Sequence, residues 1–252
     1  MFFYREEVET VDVVYFANLF VNRSHGHTLI LYQISDFIET GLLDVATLHM
    51  VISCPRDYDY HSIVQQISDK TFHPIQFYIN HDNCHEFPGI MKVYQLALRN
   101  NSRSHYILYF HAKGITRFQG EREPIEKALH SIVISPWKKV LNIFKYYPTI
   151  DKIGSTYSPQ GWVWWNYWWV RASFVTRLES PIKTTRRHYY EDWLCRVLIN
   201  PYTPISIKRK EDRIENIDVY DLSSDNCWGL SSPHQCEASD AVQALQNRYI
   251  HY

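Results

Sequence analysis

Short apolar runs alternate with segments whose apolar residues recur at helical spacing, and this alternation governs the first half of the chain. Val11 to Phe20, rich in Val, Tyr and Phe, predicts a buried strand. After the break at Asn22-Arg23-Ser24-His25-Gly26, Ile30, Ile34, Phe37 and Ile38 predict a helix that Gly41 stops. Leu48 to Cys54 predicts a second strand closed by Pro55, and His61 to Asp69 a weaker helix with Ile63 and Ile67 on one face. Ile75 to Ile79 predicts a third strand, Ile90, Tyr94, Ala97 and Leu98 the next helix, and Tyr106 to Phe110 a fourth strand. Strands and helices in strict alternation, joined by short polar links, predict an α/β fold: a mostly parallel central sheet flanked by helices. Ligands of such sheets collect beyond the carboxyl ends of the strands, so chemistry is expected just after Phe20, Cys54, Asn80 and Phe110.

The second half is less regular. Ile125 to Tyr147 has helical period, with Pro136 ending one helix and another beginning at Ser135. Ile153 to Tyr157 predicts a fifth strand. The stretch Gly161 to Val170 carries five tryptophans; as a strand it places Trp162, Trp164, Asn166 and Trp168 on one face and Trp165, Tyr167 and Trp169 on the other. Rings on both faces imply that most are buried, with one or two left for a site. Tyr189 to Asn200 predicts a short helix with Glu191-Asp192 near its positive end. The tail from Ile207 alternates charge with Ile, Val and Tyr, predicting a last strand before the chain turns polar. Without repeats or a linker-like stretch, the 252 residues read as one domain.

Composition narrows the function classes. Lys and Arg number 26 against 27 Asp and Glu, and 45% of residues are hydrophobic, which excludes a disordered chain. It also argues against a nucleic-acid partner, because phosphate binding wants a cationic excess. Lys208-Arg209-Lys210 is followed at once by Glu211-Asp212 and reads as a solvated face. No apolar signal core opens the chain, no run of about 18 apolar residues predicts a membrane span, and the five cysteines lack paired spacing. A cytoplasmic protein with reduced thiols is the expectation. The aromatic share, 15% with 19 Tyr and 8 Trp, is high for packing alone and suits recognition of sugar or base rings.

Four constellations carry candidate chemistry. His111-Ala112-Lys113-Gly114 follows the fourth strand directly, where Lys supplies a point charge for an anion and Gly lets backbone approach it. Asp57-Tyr58-Asp59 is the one D-x-D; its carboxylates suit Mg²⁺ or Mn²⁺, but the place, between a strand and a helix, suits an N-cap better. Glu191-Asp192, preceded by Arg186, Arg187 and His188, reads either as a carboxylate pair for proton transfer beside phosphate-clamping cations or as a salt-bridged helix start. The tryptophan stretch reads as a stacking platform or as a packed strand. Thirteen histidines show no convincing zinc spacing, and a nucleotidyltransferase would want a Gly-rich phosphate loop or convergent acids, which the chain lacks.

Taken in order, these segments resemble a family of small GT-A-type glycosyltransferases of bacteria and large DNA viruses. The resemblance rests on Val13-Val14-Tyr15-Phe16-Ala17-Asn18 with Val21-Asn22, Glu39-Thr40-Gly41-Leu42-Leu43-Asp44 and Glu86-Phe87-Pro88-Gly89. It continues through His111-Ala112-Lys113-Gly114-Ile115-Thr116, Ile153-Gly154, Asn166 to Ala172, and Arg187 with Glu191 and Trp193. It covers about residues 11–200 of a single GT-A-like, Rossmann-related domain and leaves about 201–252 as a C-terminal extension. It implies transfer of a sugar from a nucleotide-sugar donor, a UDP-sugar by preference, to a hydroxyl of a glycan acceptor. A non-catalytic carbohydrate-binding protein on the same fold is the alternative. The donor residues it implies are Phe16, Ala17 and Asn18, Glu86 toward the base or ribose, and His111, Lys113, Gly114, Arg117 and Arg187 toward the diphosphate. Asn166, Trp168 and Trp169 fall on the acceptor side, and Glu191 with Asp192 supplies a carboxylate that accepts the hydroxyl proton in an inverting enzyme or orients donor or acceptor in a retaining one. His111-Ala112-Lys113 stands where the family's D-x-D metal ligands normally stand. Either Lys113 neutralises the diphosphate itself, or His111 is one ligand of a Mn²⁺ or Mg²⁺ ion.

Overall fold

The computed structural model describes residues 9–156, 158, 162–198, 218–223 and 226–228. Its centre is β1 (Thr10–Asn18), apolar on both faces because both are covered. Val13, Tyr15 and Ala17 pack on one side with helix α1 (Gly26–Glu39), and Val14 and Phe16 on the other with α3 (Phe87–Arg99). β2 (Ala46–Ser53) and β3 (Ile75–Asn80) extend the sheet in parallel on one side of β1, linked by α2 (Tyr60–Ser68). β4 (His105–His111) then returns to pair in parallel on the other side of β1. Beyond it lie β6 (Trp168–Arg171), antiparallel to its neighbours, then β5 (Ile150–Gly154), β7 (Asp218–Asp221) and β8 (Asn226–Trp228), giving the order β3-β2-β1-β4-β6-β5-β7-β8. The architecture is a mixed α/β sheet, mostly parallel and flanked by helices. Because the chain leaves β1 in one direction and comes back to its other side at β4, the topological switch lies between these two strands.

The first-half elements stand where the apolar pattern predicted them. Gly41 adopts φ 71° just past α1, the left-handed turn for which glycine is suited. Asp59 caps α2, its Oδ1 accepting the Ser62 N–H at 3.3 Å, while Asp57 pairs with Arg23 at the surface; the D-x-D is a cap. The second half corrects several expectations. Pro136 does separate two helices, but α4 (Pro124–Leu129) first runs into a π turn at His130–Ile134, and α5 begins only at Trp137 (Trp137–Tyr146). The fifth strand starts three residues early, at Ile150. The tryptophan stretch is not one continuous strand: Trp164–Asn166 makes a tight turn, with Trp165 at φ 70° and Asn166 at φ 52°, before β6 begins. Tyr189 to Asn200 forms no helix over its described residues, only two short 3₁₀ turns, Arg187–Tyr189 and Trp193–Cys195. Of the tail from Ile207, expected to hold a last strand, the part before Asp218 falls outside the described residues, and the described part includes β7. β7 pairs with β5 and buries Val219, so part of the chain beyond residue 200 belongs to the core. Among the described residues no helix is long and apolar enough to cross a membrane.

The amino end of the sheet, remote from the switch, holds a buried ion cluster. Asp12 sits between His49 (Oδ1–Nε2 2.7 Å) and His105 (Oδ2–Nε2 2.8 Å). Burial pushes the Asp12 carboxyl up, but the hydrogen bonds and charges of the two histidines outweigh it and hold the group at about 2, below its ordinary 3.8. A lowered carboxylate stabilises the fold fully above the unfolded value and loses that contribution as pH falls through the folded one. Asp12→Asn should therefore cost about 2 kcal/mol at pH 7. Urea melts should show the gap to wild type closing as the pH drops from 3.8 to about 2.

Candidate functional site

A cavity of about 580 Å³ opens at the carboxyl edge of the sheet, over the β1/β4 switch. That volume is ordinary for a small-molecule site. β1 contributes Phe16 and Asn18, and the end of β4 contributes His111, Lys113 and Gly114. The Ala112 N–H donates to the Phe16 carbonyl (2.8 Å), so the ladder between the two strands continues into the site and holds its floor. The chain then turns sharply. The Lys113 N–H reaches back to the His111 carbonyl at 2.6 Å, Gln33 donates to the Lys113 carbonyl at 3.2 Å, and Gly114 adopts φ 85°. Here glycine is required by its left-handed backbone as well as by access.

Glu86 is the hub of the cavity. Its Oε2 accepts from the Tyr109 hydroxyl (2.9 Å) and the Asn166 amide (2.9 Å), and lies 3.0 Å from His111 Nδ1. Burial pushes the Glu86 carboxyl up, yet the His111 charge and these donors together bring it below its ordinary value, so it is a carboxylate at neutral pH. Tyr109 is driven well above its ordinary value, first by burial and then by Glu86, and stays a donor. The glycine of Glu86-Phe87-Pro88-Gly89 explains the close approach of α3: a Cβ at Gly89 would lie 2.8 Å from Phe16 Cβ and 2.9 Å from the Tyr109 ring. His111 is held through its ring, with Nδ1 engaged by Glu86 and the imidazole edge-on to Tyr167 (centres 5.9 Å apart), and through its backbone carbonyl, which accepts from the Tyr167 hydroxyl at 3.0 Å.

The far wall comes from the tight turn before β6. Trp164, Trp165 and Asn166 line the cavity, and the Lys113 ammonium lies 4.7 Å from the centre of the Trp165 ring. Positive φ outside glycine is uncommon and costs about 1–3 kcal/mol per residue. Three such residues, His85 (φ 51°), Trp165 and Asn166, border this cavity. Glu191 closes the rim, its Oε2 3.1 Å from His188 Nδ1.

The structure thus gathers Phe16, Asn18, Glu86, His111, Lys113, Gly114, Asn166 and Glu191 around one cavity, and separates the other candidates from it. Ala17 is fully buried on the opposite face of β1, as strand alternation requires. Arg117 projects into solvent, 85% exposed, 3.9 Å from Glu123. Asp192 is engaged by Arg196, both oxygens accepting at 2.9 and 3.0 Å. Trp168 and Trp169 cannot stack on an acceptor: both are buried, Trp168 against Tyr109 and Trp169 with its indole N–H on the Val133 carbonyl (2.8 Å). Arg187 contributes backbone to its turn, and its side chain lies outside the described part of the structure. Trp164, Trp165 and His85 line the cavity without having been singled out as site residues. His85 carries a signal in being next to Glu86. The two rings answer the expectation that the tryptophan stretch leaves one or two for a site, although strand alternation, which assigns them to opposite faces, could not say which.

A divalent ion does not fit the side chains of the described residues that line the cavity. The described residues hold no group of three or more His, Cys, Asp or Glu side chains able to share a metal ion. Of the cavity's two carboxylates, Glu86 has one oxygen committed to its three neighbours and Glu191 faces His188. The chain matches no protein-family model, no curated protein and no solved structure.

Proposed function

We propose that the protein is a glycosyltransferase of GT-A type, moving a sugar from a nucleotide-sugar donor, a UDP-sugar by preference, to a hydroxyl of a glycan. One observation carries the reading: a single cavity at the β1/β4 switch is lined by Lys113, whose ammonium lies over the Trp165 ring, and by the carboxylates Glu86 and Glu191. An anion-binding group, a flat apolar face and a carboxylate within one cavity of nucleotide-sugar size are what such a transfer needs.

In this reading the nucleotide lies against the carboxyl end of β1, at Phe16 and Asn18, and the diphosphate against the turn after β4. The acceptor oxygen attacks the anomeric carbon, and the bond from that carbon to the phosphate oxygen breaks with both electrons going to the departing diphosphate. The proton released by the hydroxyl passes to the Glu191 carboxylate. Glu86 takes no part in bond making; its tie to His111, Tyr109 and Asn166 keeps the two walls of the cavity in register. Trp164 and Trp165 replace Trp168 and Trp169 as the rings available to a sugar.

A thermal-shift screen of UDP, GDP, CDP and ADP tests the proposal. A ligand at a hundred times its dissociation constant adds about 2.7 kcal/mol of stability, and one diphosphate is expected to stand out from the rest. Silence across the panel, with stabilisation by free glycans instead, would move the protein to the carbohydrate-binding alternative.

A further inference from the structure

On the nucleotide-sugar reading, something must neutralise the diphosphate as it departs. We propose that this charge is met by the protein itself, through the Lys113 ammonium with the His111 ring beside it, and that the diphosphate binds without a divalent cation.

The first support is the donor set. A hard divalent ion wants several oxygens converging on one point. The carboxylates on this cavity stand in two separate places, Glu86 within a hydrogen-bonded cluster and Glu191 beside His188 at the rim. The D-x-D that could have carried the ion is used elsewhere, Asp59 as the cap of α2 and Asp57 as the partner of Arg23.

The second is the placement of the cation. Lys113 is not on a floppy loop: its carbonyl takes the Gln33 amide, its N–H returns to the His111 carbonyl, and its ammonium lies over Trp165. A lysine so anchored is a fixed point charge for phosphate. His111 adds a ring edge: with Nδ1 engaged by Glu86, Nε2 is the nitrogen left for a ligand in the cavity.

Calorimetric titration of UDP, or of whichever diphosphate stabilises the protein, decides the matter when run in EDTA and again in Mn²⁺. Wild type is expected to bind with the same affinity in both, within about twofold. Lys113→Met should weaken binding at least about tenfold in either buffer, the loss expected for a charge-assisted contact. Lys113→Arg should recover most of it. Lys138→Ala, an exposed cation on α5, should bind as wild type does, and thermal melts will show that each variant is folded. Binding that requires Mn²⁺ would overturn this inference and leave the transferase reading standing. Binding in EDTA that ignores Lys113→Met would remove Lys113 from the site. If no diphosphate binds in either buffer, the transferase reading fails and the inference falls with it.

Discussion

Glu191→Gln is expected to lower turnover by about 10²–10⁴-fold, the usual worth of a positioned general base, while diphosphate affinity stays near that of wild type. Glu191 lines the cavity and has a partner, His188, on the same rim, so its carboxylate is held in place but remains partly open at 29% exposure. Glutamine keeps the shape and loses the ability to take a proton. Asp192, next in sequence, cannot stand in, because both its oxygens are occupied by Arg196. The measurement is UDP release from a UDP-sugar, first with water and then with glycans as acceptor, beside calorimetry of UDP. Unchanged turnover in Glu191→Gln would remove Glu191 from the chemistry without touching the donor site. Asp192→Asn provides the contrast: it should affect stability through the lost Arg196 pair and leave proton transfer alone.

The two carboxylates illustrate how far the sequence was legible. Adjacent acids at a supposed helix start looked interchangeable, and only the fold separates them. The helix they were assigned to does not form over its described residues: the chain makes two 3₁₀ turns there, pinned by tertiary contacts such as the Trp193 indole N–H on the Glu179 carbonyl (3.0 Å). The first half was legible because β1, β2 and β4 are buried on both faces, the edge strand β3 is half-buried, and each helix buries one face, so periodicity and burial say the same thing. The position of the site followed from that topology, since His111-Ala112-Lys113-Gly114 had to lie at the carboxyl end of β4. The far wall was not legible. The family resemblance put Trp168 and Trp169 on the acceptor side, but the left-handed backbone at Trp165 and Asn166 interrupts the strand, leaving Trp164 and Trp165 on the cavity and Trp168 and Trp169 in the core. No local signal announces such a turn, because Trp is a poor resident of positive φ and is held there by its surroundings. β7 lies in the tail where alternation predicted a last strand, but its place in the sheet was hidden, because it pairs with β5 across more than sixty residues of chain.

At the far end of β6 from the turn at Trp165 and Asn166 stands Arg171, which sequence reading treated only as part of a motif, and Arg171→Leu is expected to be the most damaging single change to stability. The buried guanidinium lies against the stacked pair of Tyr106 and Phe144 rings, its carbon 5.4 and 4.9 Å from their centres. It donates to the carbonyls of Ile150 (2.6 Å), Arg103 (2.6 Å), Phe144 (2.5 Å) and Tyr147 (3.4 Å). One side chain thus ties together the entry to β4, the end of α5, the start of β5 and the end of β6. Leucine would fill much of the space but leave those carbonyls without their donor, each at about 1–3 kcal/mol, so a loss of at least about 3 kcal/mol is expected. For a chain of this size that is about 6–12 °C in melting temperature. Lysine should restore only part of it, because an ammonium cannot reach four acceptors spread around a planar fork. The effect should also reach the site. β6 follows directly on the turn that sets Trp165 and Asn166, so loosening its far end frees a strained segment that is kept in place only from outside. Arg171→Leu should therefore weaken diphosphate binding even at temperatures where the protein is folded, whereas Asp12→Asn, which removes a buried ion cluster at the amino edge of the same sheet, should lower stability and leave binding unchanged. Equal binding by both variants would show that the turn is held by its own contacts, through Asn166 and Glu86, and that the strand behind it contributes stability alone.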